Sequence, residues 1–166
     1  VHKDALETNP PPRVETAVTG YRTFALHAHL RGQEAWIVNV HTTKAFWTSQ
    51  GIIGGITDAG RKASWHHKEH RLLDAWLQDR TDASVLATGD FNAPQCSHNL
   101  RLGNLRSAHA EAGQGYQLTF PRTLPLIGLD HTLGSATVEF YEHRLVDMGY
   151  SDHRAQLTRF ALGAGP

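Results

Sequence analysis

The chain has 166 residues, enough for one domain with its own core. Lys+Arg and Asp+Glu balance at 16 each, which argues against a protein that grips long duplex DNA, since such proteins carry a basic surplus. A single cysteine, Cys96, excludes an internal disulfide and a cysteine-based zinc cluster, and no apolar run is long enough for a membrane-spanning helix. Twelve histidines make the charge sensitive to mild acid. No signal peptide is visible and the chain begins at Val1, from which we expect a piece cut from something longer. The compartment stays open: cytoplasmic, or extracytoplasmic after removal of an N-terminal part.

Residues 1–13 are polar, run into Pro10-Pro11-Pro12 and read as an extended lead-in, with the domain expected over 14–163. From Arg22 to Leu30 the pattern alternates, with Phe24, Leu26, Ala28 and Leu30 on one face and His27 and His29 on the other, as in a half-buried strand. Arg31-Gly32-Gln33-Glu34 reads as a turn, and Ala35 to His41 as the second strand of a hairpin, ending on a histidine. Residues 42–60 read as a long loop. From Arg61 to Gln78, Trp65, Leu72, Leu73, Trp76 and Leu77 form a helical stripe.

Ser84 to Thr88 is a short buried strand running into Gly89-Asp90, and a short helix is expected over Ser97–Leu102. Leu126 to Leu133 reads as a strand after the Phe120-Pro121 and Leu124-Pro125 turns, and Thr137–Met148 and Arg154–Leu162 as the last two. Mixed strands with one long crossover helix indicate an α/β layered fold.

Gly89-Asp90-Phe91-Asn92 and Ser151-Asp152-His153 each sit beside a strand. Two carboxylates, an amide and an imidazole at strand ends are what hydrolysis of a phosphate ester by a metal-bound water requires. Taken singly, each motif reads equally as a turn whose Asp, Asn or Ser caps backbone amides. Asp130 is harder to dismiss, because a carboxylate in an apolar strand costs several kcal/mol unless paired or metal-bound. Its neighbour His131 points to the opposite face, so the partner is expected from elsewhere.

His66 and His70 stand at i, i+4, a spacing that can hold a metal. No third ligand is evident and the opposite stripe is the apolar one, so a surface pair is expected. Cys96 reads as a small packing residue near the site. Phe46, Trp47, Ile52, Ile53 and Ile56 follow His41 as a lid, or as an apolar lip suited to a lipid-linked phosphate, with Lys44 beside them to meet a second phosphate.

In this order, Asn39-Val40-His41, Gly89-Asp90-Phe91-Asn92, Leu129-Asp130-His131 and Ser151-Asp152-His153 resemble the later motifs of the endonuclease/exonuclease/phosphatase superfamily. The resemblance runs from about Arg13 to Phe160. It implies a four-layered α/β/β/α sandwich and divalent-metal-dependent hydrolysis with Mg2+, Mn2+ being a plausible substitute. Asp90 resembles the carboxylate that orients or deprotonates the attacking water, and Asn92 the amide that steadies it. Asp152, with Asp90, resembles a metal ligand. His153 resembles the imidazole on a phosphoryl oxygen, Asp130 the acid that orients that imidazole, and His41 a histidine acting on phosphate or leaving group. Asn39, Lys44 and Trp47 are the expected substrate contacts.

The family also opens with a strand carrying Asn or Asp, then a strand ending in a Gln-Glu motif whose Glu is the principal magnesium ligand. Neither is present, and Glu7 and Glu15 fall in polar or linker-like surroundings. The chain therefore resembles the later part of the domain, incomplete at its N-terminal side and completed by an upstream polypeptide or a second copy. The expected substrate is a small or lipid-linked phosphate ester or pyrophosphate. The alternatives are a nuclease acting on DNA, an inactive or partner-binding module lacking the family Glu, and a histidine-rich transition-metal binder.

Overall fold

The computed structural model describes residues 6–7, 13–16, 22–44 and 52–163. Short strands β1 (Leu6–Glu7) and β2 (Arg13–Thr16) both pair antiparallel with β3 (Phe24–Leu30) along one edge. β3 and β4 (Gln33–His41) form a hairpin closed by Arg31 and Gly32, both at positive φ (52° and 81°), the turn whose twist matches that of the strands. Helix α1 (Ile52–Gln78) then crosses to β5 (Val85–Asp90), which pairs in parallel with β4.

A 3₁₀ turn (His98–Leu100), capped by Ser97, leads to β6 (Arg106–Ser107) and the five-residue α2 (Ala108–Ala112). β7 (Asp130–Gly134) completes a seven-stranded sheet of order β1-β3-β4-β5-β7-β6, with β2 also on β3. β8 (Val138–Val146) and β9 (Ala155–Leu162) make a separate two-stranded antiparallel sheet.

The large sheet has two differently covered faces. Ala25, Val38, Val40, Val85 and Ala87 pack with Leu73 and Leu77 of α1 in the main core. On the opposite face Leu86 meets Ala108, Val138 and Phe140, with Phe160 and Leu162 alongside. Thr132 Oγ1 reaches Gln156 of β9 at 2.6 Å. Helix, sheet and a second, smaller sheet are thus stacked, an α/β layered fold.

Several elements differ from expectation, each for a physical reason. α1 begins at Ile52, so residues 52–60 belong to it rather than to a loop. Gly54 and Gly55 do not stop it, since a glycine costs a helix only about 1 kcal/mol relative to alanine, and an established helix extends cooperatively. The buried side of α1 also differs: Leu73 and Leu77 are buried together with His66, Glu69 and His70, whereas Trp65 is 54% and Leu72 41% exposed.

In β3 the apolar alternation does not decide burial. Ala25 and Ala28, on opposite faces, are buried, while Phe24 is 44% exposed. His27, on the helix side, stacks on Trp36 at 4.5 Å between ring centroids. The strand expected over Leu126–Leu133 starts only at Asp130. Before it, Phe120 and Ile127 bond across an isolated bridge that folds the 120–127 segment on itself.

Candidate active site

β4, β5 and β7 deliver their ends side by side, and pairing register aligns the chemistry. His41 is opposite Asp90 in the β4–β5 pair, and Asp90 is opposite Asp130 in the β5–β7 pair. Asn39, two positions before His41 and paired with Thr88, lies on the same face. The close β4–β5 approach requires Gly89: its φ is 134°, and a Cβ would overlap the Val40 carbonyl.

The turn after β5 is held at both ends. Asp90 accepts from Asn92 N at 2.8 Å and from Asn92 Nδ2 at 3.0 Å, and Nδ2 also donates to Thr42 O at 2.8 Å. Asn92 sits at φ 46°, a left-handed conformation that asparagine tolerates better than most residues. Phe91 N donates to Leu129 O at 3.0 Å, and the Phe91 ring is wholly buried.

The Ser151-Asp152-His153 loop enters from the other sheet. Ser151 Oγ accepts from His153 N at 3.1 Å, and Arg154 N donates to Thr119 O at 2.8 Å. His153 Nδ1 meets Asp130 Oδ2 at 2.7 Å, with each side chain 14% exposed, and the imidazole leans on Phe120. Asp130 thus has its partner, while His131 points to the opposite side and bonds Ala93 O at 2.8 Å.

Burial holds the Asp90 carboxyl above the ordinary carboxylate range, opposed by the Asn92 N–H and reinforced by Asp130; His153 and His41 pull it down. Ligating atoms of Asp90, Asp130 and His153 all lie within 4.8 Å of one another, a group that could hold a metal ion. Two carboxylates, one raising the other's pKa, suit a hard divalent cation, which prefers oxygen donors and relieves their repulsion. His153 Nδ1 is already engaged with Asp130.

Among the described residues, the group whose ligating atoms lie within 4.8 Å of one another does not include Asp152 or Lys44. Asp152 is exposed, and its carbonyl accepts from Arg122 N at 2.7 Å. Lys44 is exposed, and Trp47 and Phe46 lie outside the described residues. Cys96 is exposed rather than packed, because the Pro94–Ser97 turn carries it outward.

Sequence reasoning missed the supports. Thr119, fully buried, offers Oγ1 to Leu129 N at 3.0 Å and Asp130 N at 3.3 Å, and Gln117 Nε2 donates to Asp130 O at 3.0 Å. Glu69 of α1 accepts from Thr43 N at 2.7 Å. No local pattern marks these residues, since each serves a backbone group distant in sequence.

Residues 3–153 match the Endonuclease/Exonuclease/phosphatase family. No curated protein matches the chain. Among solved structures, a Neisseria 3′ phosphatase, NExo, bound to a product DNA hairpin is similar at TM-score 0.63 and 15% identity, covering 90% of this chain and 71% of that one. A mannosyl-6-phosphatase of Bacteroides thetaiotaomicron is similar at TM-score 0.60 and 15% identity, covering 84% and 57%. A humanized TDP2 of D. rerio gives 0.61 and 15%, covering 84% and 60%. The chain therefore spans little more than half the length of several such structures, and at these identities the likeness shows the fold. With its site geometry and a family match over residues 3–153, this chain belongs to the Endonuclease/Exonuclease/phosphatase family.

Proposed function

We propose that the chain carries the later part of a divalent-metal-dependent phosphoesterase site, hydrolysing a phosphate ester or pyrophosphate. The observation that carries this reading is the convergence of Asp90, Asp130 and His153 within 4.8 Å, with Asp130 gripping His153 at 2.7 Å. Asp90 accepts a proton from the attacking water, a role that its raised pKa suits. Asn92 and His41 orient the water and the phosphoryl oxygens. His153, oriented by Asp130, donates to the oxygen on which charge develops.

Asp90 and Asp152 would hold Mg2+ or Mn2+, which supplies charge neutralisation for the phosphoryl group. Asn39, Lys44 and Trp47 contact the rest of the substrate. The balanced charge favours a small or lipid-linked phosphate; the DNA-bound NExo is what favours the second reading, a nucleic-acid substrate.

We further propose that residues 14–163 are the later part of a domain whose second sheet is completed by an upstream polypeptide or a second copy. Support comes from the two-stranded β8–β9 sheet and from Phe24 and Leu157, exposed at 44% and 42%. The test is hydrolysis of a generic phosphodiester and of a polyprenyl pyrophosphate with magnesium or EDTA, beside Asp90→Ala. Magnesium-dependent turnover lost in Asp90→Ala is expected; turnover indifferent to EDTA or to that substitution would sink the reading.

A further inference from the structure

Phe91 stands between the proposed catalytic side chains, and its carbonyl is gripped from two directions. Thr42 Oγ1 donates to it from the end of β4. From α1, His66 Nε2 lies 3.0 Å and His70 Nε2 3.1 Å from the same oxygen, the two nitrogens being 3.1 Å apart. A carbonyl oxygen can only accept, so the imidazoles face it as donors. The histidines are 3% and 2% exposed. The far nitrogen of His66 is anchored to the Asn99 side chain at 3.1 Å. Burial first, then His66, push His70 down to about 4, so at neutral pH it is uncharged.

The consequence for the site follows from peptide geometry. Phe91 C=O and Asn92 N–H belong to one planar trans peptide and point in opposite directions. That N–H is the one donating to Asp90 Oδ1 at 2.8 Å. A carbonyl turned away from α1 would turn the N–H away from the carboxylate. Asn92 at φ 46° holds a left-handed conformation uncommon for a non-glycine residue, so contacts from outside help hold the turn.

We propose that His66 and His70 are positioning residues of the site: by clasping the Phe91 carbonyl they orient the peptide unit whose N–H sets the Asp90 carboxylate. The effect on turnover rests on the phosphoesterase reading; the clasp itself does not. It also accounts for a polar stripe on the buried side of α1, where aliphatic residues would pack but could donate nothing.

The test compares His66→Leu and His70→Leu, singly and together, with His66→Gln and His70→Gln in the same chain. Leucine fills space without a donor, whereas glutamine keeps an N–H. One readout is the Asn92 amide in 1H–15N NMR, its shift and its exchange with solvent. The other is magnesium-dependent hydrolysis of a generic phosphodiester. In the leucine variants the Asn92 amide is expected to move upfield and exchange faster. Turnover number should fall about 10–100-fold with KM within about twofold, as for loss of an outer-shell partner, and the glutamine variants should recover most of both.

Folded leucine variants with an unchanged Asn92 amide overturn the clasp, and so do glutamine variants that lose as much as leucine. Where leucine prevents folding, the glutamine pair decides: a displaced Asn92 amide overturns the proposal and a native one supports it. Turnover that survives Asp90→Ala sinks the phosphoesterase reading instead, and the amide by itself still judges the clasp.

Discussion

Acidification from about pH 7 to about pH 5 loads protons onto the unfolded chain at His70 and His143 before the folded chain accepts them. These side chains are 2% and 3% exposed, and burial drives each from the ordinary 6.5 to about 4. His66 adds to the depression of His70, and His109 and His131 to that of His143. Unfolding therefore takes up protons between those two values, and stability falls as the pH falls through 6.5, the loss levelling off below 4. At about pH 5 each unfolded imidazole is almost fully protonated and each folded one is mostly neutral, a cost of about 2 kcal/mol per histidine and ~4 kcal/mol for the pair.

Asp90 works in the opposite sense. Its raised pKa contributes stability at low pH that is lost as the pH rises through it, so it offsets part of the effect. Against a typical domain stability of about 5–15 kcal/mol, the histidine loss is large. Urea unfolding followed by tryptophan fluorescence should show a lower midpoint at pH 5 with the same slope. His143→Gln should remove about half of the pH difference. Equal midpoints at the two pH values, or ring NMR in which both histidines titrate near the ordinary 6.5, would refute the argument.

Asp130→Asn leaves His153 without its carboxylate and should lower turnover about 10–100-fold with little change in KM, read by steady-state kinetics. Gly89→Ala drives a Cβ into the Val40 carbonyl at a φ of 134° and should cost more than ~3 kcal/mol, seen as loss of soluble, cooperatively unfolding protein. Asn92→Ala removes the side-chain donors to Thr42 O and Asp90 from a left-handed turn, and should lower the unfolding free energy by about 2–3 kcal/mol in urea titrations.

The strands that carry the site were legible because their signal is local. Ala35 to His41 and Ser84 to Asp90 are short apolar runs that end on polar residues, and the structure makes them β4 and β5, paired so that His41 and Asp90 meet. Asp130 announced its need for a partner by being a carboxylate among apolar neighbours. That the partner is His153, from a loop after the other sheet, was implied by family resemblance and seen only once the chain was folded.

Where local preference and tertiary demand differ, the second prevailed. Residues 52–60 read as loop, yet the helix runs through them. His66 and His70 read as a surface pair, yet they are buried together with Glu69, because Thr43 N and Phe91 O arrive opposite them and need partners. Thr119 and Gln117 carry no signal at all, since the backbone of Asp130 that they support lies in another element. Composition and periodicity by themselves determined a layered α/β domain, and ordered motifs a family. Which buried backbone groups lack a partner, and which side chains therefore turn inward, is decided only when distant segments meet, because an unpaired polar group costs free energy only once water has been excluded from it.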